Sequence, residues 1–420
     1  MHPKALLEQA SELMRAVLRF EQPADAVVSA HFRKHRALGA RERHALAETV
    51  YAVLRRRLLL QHLAQGGHGP LERRLVLAGW QGEARVLEAA IDPAERQWLT
   101  AVAAVDPATL APKLRHNLPD WLAGALHEQL DDAQFDALAV ALLQPAPLDL
   151  RVNTLKAKRD EVCEMLRVAG IDATLTPYSP WGLRVAGRPS VNALPAFRDG
   201  LIEVQDEGSQ LLAALLDAHR GEMVVDFCAG AGGKTLAIGA TMRNTGRLYA
   251  FDTSGHRLHA LKPRLARSGL SNVHTVQIAH ERDERVKRLA GKVDRVLVDA
   301  PCSGLGTLRR NPDLKWRQSP ATVAQLRQLQ QAILAGAATL VKPGGRLVYA
   351  TCSLLAQENE DVAQAFGRER PEFQTVEAIQ ALVMARIAKA DELVQGPWLR
   401  LSPQRHSTDG FFAAVWQRKG

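Results

Sequence analysis

Cys302 and Cys352 each close an apolar run of strand character, Leu297-Val298-Asp299-Ala300-Pro301-Cys302-Ser303-Gly304 and Tyr349-Ala350-Thr351-Cys352-Ser353. In an open α/β sheet the chemistry sits at the carboxyl ends of the strands, so two such strands side by side would hold both thiols over one pocket. Paired thiols there point to covalent catalysis, and methylation of cytosine at carbon-5 is a reaction that needs it. Carbon-5 is too poor a nucleophile to take a methyl group from a sulfonium directly. Addition of a thiolate at carbon-6 makes an enamine whose carbon-5 can attack, after which the carbon-5 proton is lost and the thiol is expelled. Asp299 is placed as an acid near ring nitrogen-3, where it would stabilise the charge that develops on addition. A second cysteine can assist release. Either cysteine alone would read as structural; the pair, with Asp299, reads as catalytic.

A cofactor turn accompanies them. Val224-Val225-Asp226-Phe227-Cys228-Ala229-Gly230-Ala231-Gly232-Gly233-Lys234-Thr235 is a strand, a glycine-rich turn and a helix start. Small residues there let the backbone approach a ligand, and the first helical N–H groups offer donors. A Walker A loop needs glycine where Cys228 stands, and a dinucleotide fingerprint needs glycine where Thr235 stands, so both are disfavoured. What remains is a nucleoside cofactor without a diphosphate, such as S-adenosyl-L-methionine. Asp252, ending the next strand, is placed to accept hydrogen bonds from ribose hydroxyls. Cys228 reads as a small residue lining the turn.

The elements that must position these residues follow from periodicity. Apolar residues recur at helical spacing from Leu6, with little β-branched alternation before about Asp149, so residues 1–144 read as a helical domain. Its polar faces carry Arg33-Lys34-His35-Arg36, Arg41, Arg43 and Arg55-Arg56-Arg57, which suit phosphate contacts and equally suit solvated helix faces. Gln144-Pro145-Ala146-Pro147 marks a boundary. Residues 148–218 read as a small α+β domain, with strands at Leu148 to Asn153, Thr174 to Leu175 and Gly182 to Val185, and with Cys163 a core thiol on its helix. From 219 to 420, strands at Met223 to Phe227, Arg247 to Phe251, Val273 to Gln277, Val293 to Asp299 and Arg346 to Thr351 alternate with helices starting near Lys234, His256, Pro320 and Gln357. That alternation implies a mostly parallel, doubly covered sheet. The run Asp409 to Trp416 would close one edge antiparallel.

The 46% apolar content over 420 residues supports real cores, and a formal charge of +9 points to a polyanionic partner, RNA or DNA. With four cysteines, no CxxC pair and no histidine read at zinc spacing, neither a disulfide framework nor a structural metal is expected. No run is long enough to span a bilayer, and the N-terminal stretch, with Glu8, Glu12 and Arg15, is not that of a signal or transit peptide, so the cytoplasm is the expected location.

Six stretches together resemble the Sun/RsmB RNA (cytosine-5) methyltransferases: Val204 to Gln210, Asp226 to Thr235, Asp299 to Gly304, Arg309-Arg310-Asn311-Pro312-Asp313-Leu314-Lys315-Trp316, Ala350 to Ser353 and Asp409 to Phe412. The resemblance runs from about Leu148 to the C-terminus. It implies an α/β fold, a Rossmann-like class I methyltransferase domain using S-adenosyl-L-methionine, with a small α+β RNA-recognition-like domain and an all-helical N-terminal domain in the place of a NusB-like one. It implies that Cys352 is the nucleophile and Cys302 promotes release, an order the residues alone leave open. It also implies that Cys228, Ala229, Gly230, Ala231, Gly232, Gly233 and Lys234 surround the methionine part of the cofactor, with Asp252 on ribose and Asp299 near the reacting methyl and base. Arg151-Val152-Asn153 and Lys156 match the family's pattern in the small domain. The chain departs from the family at Gly230-Ala231-Gly232-Gly233-Lys234, where Ala-Pro-Gly-Gly-Lys is usual. The acidic residue expected against adenine falls near Ala279-His280, with Glu281 and Asp283 just beyond. The resulting expectation is a monomeric 16S ribosomal RNA cytosine-5 methyltransferase. A transfer-RNA enzyme and a non-catalytic RNA-binding assembly factor are the alternatives.

Overall fold

The structure, a computed structural model, describes residues 1–420 and divides into two compact units. The first comprises Met1–Pro145 together with Thr307–Pro320. It is helical throughout. Leu6, Leu7, Ala10, Leu13, Met14 and Val17 recur at three- and four-residue spacing on helix Pro3–Val17, so one face is buried. That face packs with Val28, Leu46, Val50, Val53 and Leu75 into a single core. Trp316, on the later segment, packs against the same core. Its indole N–H donates to the Leu54 carbonyl at 2.8 Å, and Lys315 Nζ donates to the Arg55 carbonyl at 2.9 Å.

The second unit, Ala146–Gly306 with Ala321–Gly420, holds two sheets. The smaller consists of β1 (Leu148–Val152), β2 (Ala173–Leu175), β3 (Gly182–Val185) and β4 (Ile202–Val204), in the order β2-β3-β1-β4 and all antiparallel. Helix Arg159–Val168 covers it through Val162 and Leu166, which meet Leu150, Val152, Leu183 and Ile202.

The larger sheet contains β5 (Met223–Asp226), β6 (Arg247–Asp252), β7 (Val273–Gln277), β8 (Val293–Asp299), β9 (Val341–Thr351), β10 (Phe373–Val376), β11 (Val394–Gln395), β12 (Trp398–Leu401) and β13 (Phe411–Arg418). Its order is β11-β12-β13-β9-β8-β5-β6-β7, with β10 also on β13. The run β9-β8-β5-β6-β7 is parallel. Alternation along these strands sends Val224, Leu297 and Val348 to one face and Val225, Val298 and Tyr349 to the other, and both faces are buried. Helix Glu207–Leu215 supplies Leu211, Leu212 and Leu215 to the first of these cores.

The five parallel strands and the helices at Gly233–Thr241, Gly255–Ser268, Pro320–Ala338 and Glu360–Glu369 follow the periodicity. The C-terminal strand does not close an edge as expected: β13 is antiparallel to β9, but β12 and β10 flank its far side. Those added strands are two to four residues long, too short to show alternation. No helix is long and apolar enough to cross a membrane.

Candidate active site

Strand order reverses between β5 and β8, and in open α/β sheets that is where a crevice opens beyond the carboxyl ends. A cavity of about 670 Å³ lies there, lined by the ends of β5, β6, β8 and β9 and by Ile278 to Glu281 after β7. Its size suits a nucleoside-sized ligand.

On one side the chain leaves β5 in a tight turn. Gly232 N–H bonds the Ala229 carbonyl at 2.8 Å, and Gly230, at φ +56°, would point a Cβ into open space. Gly230 N–H donates to Asp252 Oδ2 at 2.8 Å, while Ser254 N–H donates to Oδ1 at 2.7 Å, which fixes the carboxylate and leaves lone pairs on both oxygens. Cys228, Ala229, Gly230, Ala231, Gly233, Lys234, Asp252 and Asp299 all line the cavity. Gly232, expected with them, is not on its wall. It has φ +83°, and a Cβ there would come within 2.1 Å of Leu261 Cδ1, so its glycine serves the packing of helix Gly255–Ser268.

The opposite side holds the thiols. Cys302 and Cys352 both line the cavity with their sulfurs 3.4 Å apart. The hydrogen bond to Cys352, reinforced by burial, pushes the Cys302 thiol well above the ordinary range. Cys302 therefore keeps its S–H and can donate it to Cys352. Between thiols and glycine turn, Lys234 Nζ donates to Asp299 Oδ2 at 2.6 Å. Burial alone would pull Lys234 down, but Asp299 more than offsets it and the ammonium is held above its ordinary value. Asp299, read from sequence as an acid working alone, thus shares a proton-bearing contact with Lys234.

Two further groups were not singled out from sequence. Asp226 is buried on the cavity wall; it takes the Thr235 hydroxyl at 2.6 Å on Oδ2 and leaves Oδ1 without a partner. Burial pushes its carboxyl up to about 7, with Thr235 partly opposing and Asp299 adding. Glu358 is fully buried behind the cysteines. It accepts Ser303 N–H at 2.8 Å, the Ser303 and Ser353 hydroxyls at 2.5 Å each, and Gln330 Nε2 at 3.0 Å. One carboxylate therefore ties both cysteine loops together. The only sequence signal for it is an acidic residue six positions after Cys352, and that spacing becomes meaningful only once β8 and β9 are neighbours.

Other stretches bear elsewhere. Arg151 is buried, donates to the Gly233 carbonyl at 2.5 Å and to Gln205, and is pulled down to about 10 by burial. Asn153 Nδ2 bonds the Gly200 and Ser268 carbonyls at 3.0 and 2.9 Å, and Lys156 Nζ bonds those of Asp199 and Arg267 at 2.8 and 2.7 Å. These residues fasten the small sheet to the turn and to the helix after β6. Near the expected adenine position, Asp283 accepts Ala279 N–H at 2.8 Å and caps its own turn, whereas His280 and Glu281 line the cavity. Cys163 packs against the core of the small sheet.

An open parallel sheet with a glycine turn after its first strand, an acid ending the second and a cavity over the carboxyl ends defines a Rossmann-like enzyme built for a nucleoside cofactor. Residues 213–417 match the family described as 16S rRNA methyltransferase RsmB/F, and residues 118–192 match the RsmF/B-like ferredoxin-like domain. The probable ribosomal RNA small subunit methyltransferase B of Synechocystis is 32% identical over 96% of this chain and 97% of its own. The chain belongs to the RsmB/F methyltransferase family. Among solved structures, PH0851 matches with TM-score 0.81 at 26% identity over 100% of this chain and 99% of its own. A methyltransferase homolog protein from Pyrococcus horikoshii matches with TM-score 0.63 at 30% identity over 75% of this chain and 100% of its own.

Proposed function

We propose that this chain methylates carbon-5 of a cytosine in 16S ribosomal RNA, using S-adenosyl-L-methionine and a covalent bond from Cys352 to carbon-6. The observation that carries the reading is the 3.4 Å approach of two thiols on the wall of the cavity that also holds the glycine turn and Asp299. The cradle fits the cofactor: Gly230 opens to the cavity, and Asp252 is held with free lone pairs, as ribose hydroxyls require. Cys228 to Ala231, with Gly233 and Lys234, would hold the methionine part, and Ile278 to Glu281 would border the base. When bound, the cofactor supplies an electrophilic methyl group on a sulfonium.

The chain's own residues do the rest. The Cys352 thiolate adds to carbon-6, and the electron pair displaced toward nitrogen-3 is met by the proton shared between Lys234 and Asp299. Carbon-5 is then nucleophilic. On methylation the nitrogen-3 proton returns to the Lys234–Asp299 pair; water in the cavity then takes the carbon-5 proton, whose electron pair forms the 5,6 double bond as the carbon–sulfur pair leaves on Cys352 as thiolate. The Cys302 S–H stands ready to hydrogen-bond the departing Cys352 sulfur, which lowers the barrier to release. This division agrees with a Cys302 kept protonated by its neighbour.

Exposed Arg33, Lys34, Arg36 and Arg41 would contact RNA phosphates. We assign that role to residues 1–144, substrate presentation to 148–218 and the chemistry to 219–420, in a monomer working in the cytoplasm. Bisulfite sequencing of total RNA from cells with and without the gene tests the reading. Loss of one 5-methylcytosine from small-subunit ribosomal RNA is expected. A lost transfer-RNA site would keep the chemistry and overturn the substrate, and no lost site anywhere would overturn the enzyme in favour of an assembly factor.

A further inference from the structure

The helical unit contains a cluster that has no part in the chemistry above. His31 and His35 are four residues apart at the end of helix Ala24–Lys34, so both project from one face. Their rings stack with centroids 4.3 Å apart. The Nε2 atoms of both are buried and have no hydrogen-bond partner. Glu12, on helix Pro3–Val17, brings a carboxylate to the same place, and one ligand atom from each of the three lies within 4.8 Å of the other two. Two neighbouring imidazole nitrogens left unpartnered are costly for a purely structural contact, because each forfeits the water it had when unfolded. A single cation answers both.

We propose that Glu12, His31 and His35 form a binding site for zinc, the helical unit's own metal site. Imidazole selects borderline transition ions over magnesium and calcium, which prefer oxygen ligands. Two imidazoles and a carboxylate are an ordinary zinc set that leaves the fourth tetrahedral position to water. The Glu12 side chain is 51% exposed, which opens an entry path and accommodates that water. Turning the two imidazoles out of their stack, with Glu12 following, would bring the ligand atoms from 4.8 Å or less to the separations a tetrahedral ion imposes. Lys34 Nζ, 3.9 Å from Glu12 Oε1 and 73% exposed, is the competing cation that zinc displaces. The bound ion would staple the first two helices and fix the orientation of Arg33, Lys34 and Arg36, which surround it in sequence. The sequence signal for it is His31-x-x-x-His35 at the end of one helix, completed by a residue nineteen positions upstream that only the packing of two helices supplies.

The test is zinc titration of the full chain, stripped with a chelator, in competition with a chromophoric zinc indicator, with thermal denaturation alongside. One equivalent should bind, and the midpoint should rise with zinc concentration as linkage requires. His31→Ala and His35→Gln should each weaken binding by about 100-fold or more and Glu12→Gln by about tenfold, comparable to or larger than the loss of an outer-sphere partner. Lys34→Met should strengthen it. His35 lies at a helix end and Glu12 on the surface, so circular dichroism of those two variants should match the parent and separate lost ligation from lost folding. Cobalt substitution should give the intense visible absorption of a four-coordinate site. Absence of saturable zinc binding in the parent, or full affinity retained in His35→Gln and Glu12→Gln, would overturn the proposal.

Discussion

The two cysteine loops are built alike and differ in their surroundings. Each ends a parallel strand, each cysteine is followed by a serine, and both serine hydroxyls donate to Glu358. Around Cys352 the backbone is held closely: Gly306 N–H bonds its carbonyl at 2.8 Å, Ser353 N–H bonds Thr351 Oγ1 at 3.2 Å, and Asn359 Nδ2 bonds the Ser353 carbonyl at 3.1 Å. Around Cys302 the ties run instead through Gln330 Nε2 to the Pro301 carbonyl at 3.0 Å and through Ser303 N–H to Glu358. The hydrogen bond to Cys352, with burial, raises the thiol on the second loop. Two residues of one type in near-equivalent positions thus sit in different hydrogen-bond surroundings, and a motif centred on cysteine alone does not distinguish them.

Mutations can break this comparison. The largest effect is expected for Cys352→Ala, which removes the proposed nucleophile: methyl transfer to unmodified RNA, followed with labelled cofactor, should fall about 10⁴-fold or more, with no adduct. Cys302→Ala should lower turnover about 100-fold while an SDS-resistant protein–RNA adduct accumulates on a gel. If the two variants exchange phenotypes, the assigned roles are reversed; if they share one, the loops are not differentiated. Glu358→Gln keeps the shape of the buried hub but removes its charge, and should cost about 30-fold in turnover through misplacement of both sulfurs, with cofactor affinity little changed. Equal loss in cofactor binding would show that the hub holds more than the loops.

The smallest effect concerns pH. The native carboxyl of Asp226 is raised from 3.8 to about 7, so between those values the folded protein holds a proton that the unfolded chain has released. Stability from that proton is full below about pH 4 and is lost as pH rises through about 7. Urea titrations of parent and Asp226→Asn from pH 4 to 8 should show the parent losing about 1–2 kcal/mol relative to the variant, once relaxation around the buried group is allowed for. A constant difference would mean that Asp226 is ionised throughout.

Much of the large sheet was legible because short apolar runs such as Val296-Leu297-Val298 and Leu347-Val348-Tyr349-Ala350 alternate with helix-length segments. The glycine turn and Asp252 were legible through spacing. The strands between Phe373 and Leu401 were not, since pieces so short carry no period. Nor was the work of Arg151 and Lys156, whose basic side chains suggest an RNA surface but end on protein carbonyls. Charge says what a side chain can bind; only packing says which partner reaches it first. Glu358 and the His31–His35–Glu12 cluster were hidden for the same reason, because each acquires meaning from residues distant in sequence.

The segment Thr307–Pro320 belongs to the helical unit although it is threaded from the methyltransferase half of the chain. During synthesis the first 145 residues emerge long before Lys315 and Trp316, by roughly 10–30 s at about 5–20 residues per second. For that interval the carbonyls of Leu54 and Arg55 await their donors and the core that Trp316 packs against is incomplete. Of the two units, the one whose residues mostly emerge earlier is thus finished late, and a truncation at residue 145, natural as that boundary looks for excising a domain, would isolate an unfinished one.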